Sequence, residues 1–156
     1  ITIMIKVNVL SEEKLWSKKI KEKEKLFNKI CSHFPRKYRF INKKVYLTLL
    51  LSNNKKVKIL NKKFRNKNKH TDILSFPFEN QIKKLKKIYL GDIIISFEYM
   101  NKPKNITVKK FKKKTIKIFI HGFLHLLGFD HFKFKEYQKM HSEELKVFKG
   151  VEKLIN

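Results

Sequence analysis

Apolar and polar residues alternate from Thr2 to Val9, the period of a strand with one buried face. Ser11, followed by Glu12 and Glu13, offers a hydroxyl cap and acids for the positive end of a helix dipole. The pattern therefore predicts a helix to about Ser32, ending before Pro35, with Leu15, Ile20, Phe27 and Ile30 turned inward. Arg36 to Lys44 is basic and aperiodic, whereas Tyr46 to Leu51 is a continuous apolar run of strand length and predicts a central strand. Asn53 or Asn54 caps the next helix, in which Val57, Leu60 and Phe64 recur at helical spacing. A polar loop from Arg65 to Asp72 leads into a strand from Ile73 to Phe78. A charged connection, Asn80 to Lys87, precedes a strand from Leu90 to Ser96, introduced by Gly91 and Asp92. After Pro103 a helix begins at Thr107 or a few residues later and continues to Leu127. A final helix from about Lys133 to Phe148 carries Met140, Leu145 and Phe148.

The penultimate helix changes character along its length. Val108, Phe111, Thr115 and Ile118 form one apolar side of its first half, and lysines occupy the others. In the second half Ile118, Phe119, Ile120, Phe123, Leu124, Leu126 and Leu127 cover nearly the whole circumference, which is the pattern of a buried helix. The expected fold is α+β: a single domain over residues 1–156, with a mixed sheet of about four strands packed on that central helix. The length suits one core without a second domain, and no internal repeat is visible. At 100° per residue, Lys110, Lys114, Lys117, His121 and His125 share a stripe beside the apolar face. Such a row of ammonium groups would form a phosphate track.

Charge changes the picture next. The formal net charge is +26, and no acidic residue occurs between Glu24 and Asp72 or between Glu98 and Asp130. Alanine is absent and arginine appears only at Arg36, Arg39 and Arg65, the usage of an A/T-biased genome. That bias also favours glutamate, so it does not account for three basic residues per acidic one. A field of this sign and size attracts polyanions, nucleic acid first and a membrane surface second. The single cysteine, Cys31, forbids an intramolecular disulfide and fits a reducing compartment, with no disulfide-linked partner expected. Apolar runs fall short of a membrane span, and Ile1 to Leu10 lacks a basic leader or cleavage site. A soluble cytoplasmic protein without membrane association is expected.

The chemistry is concentrated in H-G-F-L-H-L-L-G-F-D-H, His121 to His131. Helical spacing sets His121 and His125 one turn apart on one face, Gly128 ends the helix, and His131 can return toward them. Three neutral imidazoles suit one catalytic zinc ion with an open position. A lone histidine on an apolar helix is ordinarily a core residue, but three at ligand spacing are not. Cys31 and Asp130 are the candidates to complete the site; Asp130 reads as a supporting or turn-forming residue and Cys31 as a small core residue. Zinc peptidases share this spacing but carry glutamate after the first histidine as general base, where this chain has Gly122. Peptide hydrolysis thereby loses its proton acceptor, and a phosphodiester becomes the natural substrate in so basic a protein.

Three stretches in order, R-N-K-N-K-H-T-D-I-L-S-F-P-F-E (Arg65 to Glu79), L-G-D-I (Leu90 to Ile93) and the histidine motif, resemble the YbeY endoribonucleases. The resemblance implies an α+β domain, zinc held by His121, His125 and His131, and single-strand-specific cleavage of RNA. It further implies maturation of ribosomal RNA, notably the small-subunit 3′ end, and ribosome quality control, with ribosomal RNA and the small subunit as partners. Arg65 matches the family's arginine near the metal cleft, where a guanidinium can hold phosphate bidentately and stabilise its developing charge. Two departures stand out: His70 where the family usually has proline, and Phe129 where it usually has tyrosine. His33, His70 and His141 carry no assigned role. Two other readings fit the residues: a non-enzymatic rRNA-binding assembly factor with a structural zinc, and, less well, a zinc metalloprotease.

Overall fold

A computed structural model describes residues 5–38, 40, 43–78 and 87–155. Thr2 to Met4 of the first expected strand, Glu79, and all of the charged connection but Lys87 lie outside the described residues. The elements in chain order are β1 (Ile5–Ser11), α1 (Trp16–Lys19), α2 (Lys23–Ser32), β2 (Lys44–Ser52), α3 (Asn54–Arg65), β3 (Ile73–Pro77), β4 (Lys87–Ser96), α4 (Phe97–Met100), α5 (Val108–Leu126) and α6 (Phe134–Val151). Four strands form one mixed sheet in the order β1-β2-β4-β3, parallel except for β3, which runs antiparallel to β4. The expected α+β architecture is what the chain adopts.

Packing follows the sequence pattern closely in the sheet. Ile5 and Val7 of β1 are buried while Lys6 and Asn8 are exposed, and Val45, Leu47, Leu49 and Leu51 of the central β2 are fully buried. Both faces of β4 are covered: Ile93 and Ile95 belong to the large core beneath α5, and Ile94 packs with Val57 of α3 and Leu74 of β3. On α5, Phe111, Ile116, Phe119, Phe123 and Leu124 have no exposed surface, so this helix is the buried centre of the fold. Thr107 caps it by accepting from the Lys110 backbone N–H, and Asn53 does the same for α3 through Lys56.

One expectation is corrected near the N-terminus. Ser11 does not start a helix; it is the last residue of β1, paired with Leu51. The helix expected from Ser11 to Ser32 is two, α1 and α2, separated where Ile20 takes an extended conformation (φ −132°, ψ 107°). The physical reason is Trp16: its indole N–H donates to the Ser52 carbonyl at 2.9 Å, and its ring meets Phe97 and Phe111, both at 5.4 Å. Seating that ring and then Phe27 and Ile30 requires a break between them, and Leu15 is left 40% exposed. In α6 the inward residues include Met140, Val147, Phe148 and Val151, whereas Leu145 is 58% exposed.

Glu143 interrupts the apolar face of α6 and is 8% exposed. Its carboxylate accepts from the Lys37 ammonium and the Tyr38 hydroxyl, which hold its pKa below the usual carboxylate range. Because the folded pKa lies below the unfolded one, this group's stabilisation is present above the unfolded pKa and fades as pH falls through the folded value. Glu143→Gln is expected to cost about 1–3 kcal/mol at neutral pH. Urea unfolding from pH 7 down to pH 3 should show the two proteins converging as the wild-type carboxylate protonates. A difference independent of pH would rule out the ionic contribution.

Candidate metal centre

The site is built where α5 ends. The Gly128 N–H donates to the His125 carbonyl and the Phe129 N–H to the Leu124 carbonyl, closing the helix with Gly128 at φ 99°. The chain reverses over Asp130, whose carboxylate accepts the His131 backbone N–H at 2.8 Å. That reversal brings His131 back to the two helical histidines. One nitrogen from each of His121, His125 and His131 falls within 4.8 Å of the others.

Hydrogen bonds decide which nitrogens face the centre. His125 Nδ1 lies 2.9 Å from the Phe129 carbonyl, which can only accept, so Nδ1 carries the proton and Nε2 the lone pair. His121 Nδ1 faces the Glu144 carboxylate, which likewise leaves Nε2 as the lone pair. The two Nε2 atoms stand 3.1 Å apart. Two lone pairs at that distance repel unless a cation lies between them. Ligand nitrogens bound 2.0–2.1 Å from a tetrahedral ion are about 3.3 Å apart, so the spacing fits such an ion. Burial first, and then the neighbouring His121 and His131, push the His125 pKa down, favouring the neutral, ligand form. The donor set therefore suits a divalent ion that accepts imidazole.

Glu144 was not identified by sequence reasoning. It lies on α6 next to Glu143, and the only available signal was an acidic pair interrupting the inner stripe of an amphipathic helix. Its contact gives His121 a carboxylate partner, the arrangement that orients a metal-binding imidazole and raises its basicity. Asp130 does not take that part; of its two expected roles, turn formation is the one its geometry displays. Cys31 is fully buried on α2 within the hydrophobic core, and burial pushes its thiol pKa up.

A cleft of about 590 Å³ opens beside the histidines, with Arg65, Lys67, Asp72, Ser75 and Phe132 among its walls. Arg65 thus shares a cavity with the cluster although it lies 56 positions before His121 in the chain. Its guanidinium donates to the Ser75 carbonyl at 2.8 Å and lies 5.5 Å from the Phe76 ring centroid, which anchors one edge while the side chain stays exposed. Gly122 faces the sheet: a Cβ there would sit 2.7 Å from Ile73 Cδ1 and 3.0 Å from Ser75 Oγ. A side chain at the position that carries a peptidase's glutamate would therefore collide with residues of β3 and β4.

The expected lysine row is broken in its middle. Lys114 donates to the carbonyls of Tyr99 and Lys102, at 2.6 and 3.1 Å, and so is spent on the turn after α4. The Lys117 ammonium lies 4.9 Å from the Phe148 ring, and Lys110 is exposed. Periodicity assigns these residues a common stripe but does not reveal that carbonyls wait opposite one of them. His70 rests against Tyr99, with Nδ1 2.9 Å from the hydroxyl, and ties its loop to α4. His33 is held locally by Ser32 and the Lys29 carbonyl. His141 stacks on Tyr137 with ring planes 3° apart.

Comparison with known proteins extends over nearly the whole chain. A family model described as "Endoribonuclease YbeY" matches residues 9–152. A curated protein named Endoribonuclease YbeY from Pelagibacter ubique is 61% identical over 148 residues, covering 95% of this chain and 97% of that protein. Another of that name, from Persephonella marina, is 35% identical and covers 69% of this chain and 71% of its own length. Among solved structures, the solution structure of TM1509 from Thermotoga maritima superposes with a TM-score of 0.52 at 25% identity, covering 92% of this chain and 89% of that one.

Proposed function

The chain belongs to the YbeY endoribonuclease family, and from that premise we propose that it is a zinc-dependent, single-strand-specific endoribonuclease of ribosomal RNA maturation. The proposed task is processing at the 3′ end of the small-subunit RNA, with a part in ribosome quality control, in the cytoplasm. The observation that carries the reading is the convergence of three imidazole nitrogens within 4.8 Å in a cleft that also holds Arg65.

His121, His125 and His131 would hold the ion, through Nε2 in the first two, with Glu144 and the Phe129 carbonyl fixing their rings. Bound there, zinc supplies a Lewis acid that polarises a phosphoryl oxygen and lowers the pKa of water. Arg65 would bind a non-bridging phosphate oxygen, a role that its position in the cleft wall supports. Six lysines, Lys18, Lys19, Lys21, Lys25, Lys29 and Lys112, and one acid, Glu22, line a groove of about 690 Å³ along α1, α2 and the start of α5, and this excess of positive charge supports binding of an RNA backbone. No helix among the described residues is long and apolar enough to cross a membrane.

Cleavage of single-stranded but not duplex RNA, lost on chelation and restored by zinc, is the expected result. RNA binding that survives chelation together with no cleavage under any metal would favour the assembly-factor reading. A 2′,3′-cyclic phosphate on the product would show attack by the ribose hydroxyl, and a 5′-phosphate attack by water. Glu144→Ala should weaken zinc binding about ten- to a hundredfold by freeing the His121 ring. Competition with a chromophoric chelator measures this directly, and an unchanged affinity would remove Glu144 from the site.

A further inference from the structure

Beyond His131 the chain reads F-K-F-K-E-Y-Q-K, Phe132 to Lys139, and its rings are not in the core. Phe132 is 86% exposed, Phe134 73% and Tyr137 51%. Isolated exposed apolar residues are ordinary, but three aromatic rings within six residues, two of them walling hollows that contain the candidate site's histidines, are not. Phe132 walls the cleft that contains Arg65 and the histidines. Tyr137 and His141 wall a smaller hollow of about 130 Å³ together with His121, His131 and Glu144. Helical spacing puts Phe134, Tyr137 and His141 on one face of α6, a strip about 10 Å long. The buried residues Met140, Val147 and Val151 occupy a different face.

From this arrangement, and resting on the endoribonuclease reading above, we infer that Phe132, Phe134 and Tyr137 form a stacking platform for unpaired RNA bases flanking the cleaved phosphate. The chemistry favours this occupant. Lys133 and Lys135 are exposed between the rings and Lys139 just beyond them, with half-buried Glu136 the sole acid of the stretch, so the surface combines flat apolar faces with cations. Such a surface complements a strand whose bases offer π-faces and whose backbone is anionic. A second copy of this chain would bring the same lysines against each other in a protein of net charge +26. Bases inside an A-form duplex already stack on their neighbours and are not offered to a side chain. The platform would therefore be a source of single-strand preference that is separate from the metal ligands.

The test uses the full chain and a short oligoribonucleotide containing 2-aminopurine, single-stranded or annealed to its complement, with binding measured on metal-free protein and cleavage on zinc-loaded protein. F132A/F134A is expected to weaken single-strand binding about tenfold per ring and to lose the fluorescence quenching that marks stacking. Duplex binding, zinc content and the apo melting temperature should stay at wild-type values, while KM rises with kcat unchanged. F132Y/F134Y should restore binding, since tyrosine keeps the aromatic face. Equal losses on single strand and duplex, or no loss on either, would overturn the platform. So would a wild-type dimer that F132A/F134A dissociates, which would make this face a self-interface. If the wild type neither binds nor cuts single-stranded RNA, the endoribonuclease reading falls with it; if it does both and the variants match it, only the platform falls.

Discussion

His125→Ala will leave a folded protein that has lost stoichiometric zinc and cuts single-stranded RNA about a thousandfold more slowly, or not at all. The size follows from the geometry. Changes to groups that merely orient a ligand cost ten- to a hundredfold in affinity, and His125 would be a ligand itself. The three ring centroids form a triangle with sides of 4.6, 4.9 and 5.5 Å, so the loss of one ring leaves two nitrogens that no longer define a three-point site. Stability should change little. The His125 side chain is half-buried, and its hydrogen bond to Phe129 closes a turn already held by Gly128. Metal analysis, apo thermal melting and single-turnover cleavage check the three parts separately. Wild-type cleavage by a zinc-free variant would show that the histidine cluster does not carry the reaction.

Gly91→Ala will produce the largest loss of stability among single methyl additions at the chain's glycines. Between the pairs Tyr46–Tyr89 and Thr48–Asp92, β4 holds one residue more than β2, and Gly91 lies within that bulge at φ 135°. L side chains rarely adopt such backbone, and an added Cβ would stand 2.2 Å from the Phe76 carbonyl oxygen and 3.0 Å from the Pro77 Cα. Those are backbone atoms of the paired β3, so nothing flexible can yield. The same Cβ would meet Leu126, on the last turn of α5, at 3.0 Å. We expect a cost of about 3 kcal/mol or more, lowering Tm by roughly 6–12 °C in a chain of this size. Gly150→Ala is the control: it lies in α6 with only ordinary contact to the His33 carbonyl at 3.4 Å, and should be neutral or slightly stabilising. Equal melting temperatures for the two variants would refute the account of the bulge.

These two outcomes separate what was legible along the chain from what was not. Strand β2, helix α3 with its Asn53 cap, and α5 with its Thr107 cap were readable because burial period and capping chemistry are local. The histidine spacing was readable for the same reason: i, i+4 on a helix and a glycine stop depend on only a few neighbouring residues. The single helix expected from Ser11 failed because a distant acceptor, the Ser52 carbonyl, holds Trp16 and forces a break before Ile20. Along the expected lysine row, the carbonyls of Tyr99 and Lys102 take the Lys114 ammonium, a contact that no local pattern reveals.

The sequence by itself determined most of the element types, the strongly positive net charge, and which residue types are able to hold a metal. Only the tertiary structure decided that Glu144 presents its carboxylate to the imidazole of a candidate ligand, His121, while Asp130 meets only the His131 backbone, and that Arg65 opens onto the same cleft. It also decided that Gly122 faces β3 and β4, and that the rings after His131 remain in solvent. The physical reason is range. Hydrophobic period, caps and turns act within a few residues, whereas a side chain's partner depends on how separate elements pack, and that is fixed by the shape of the whole core.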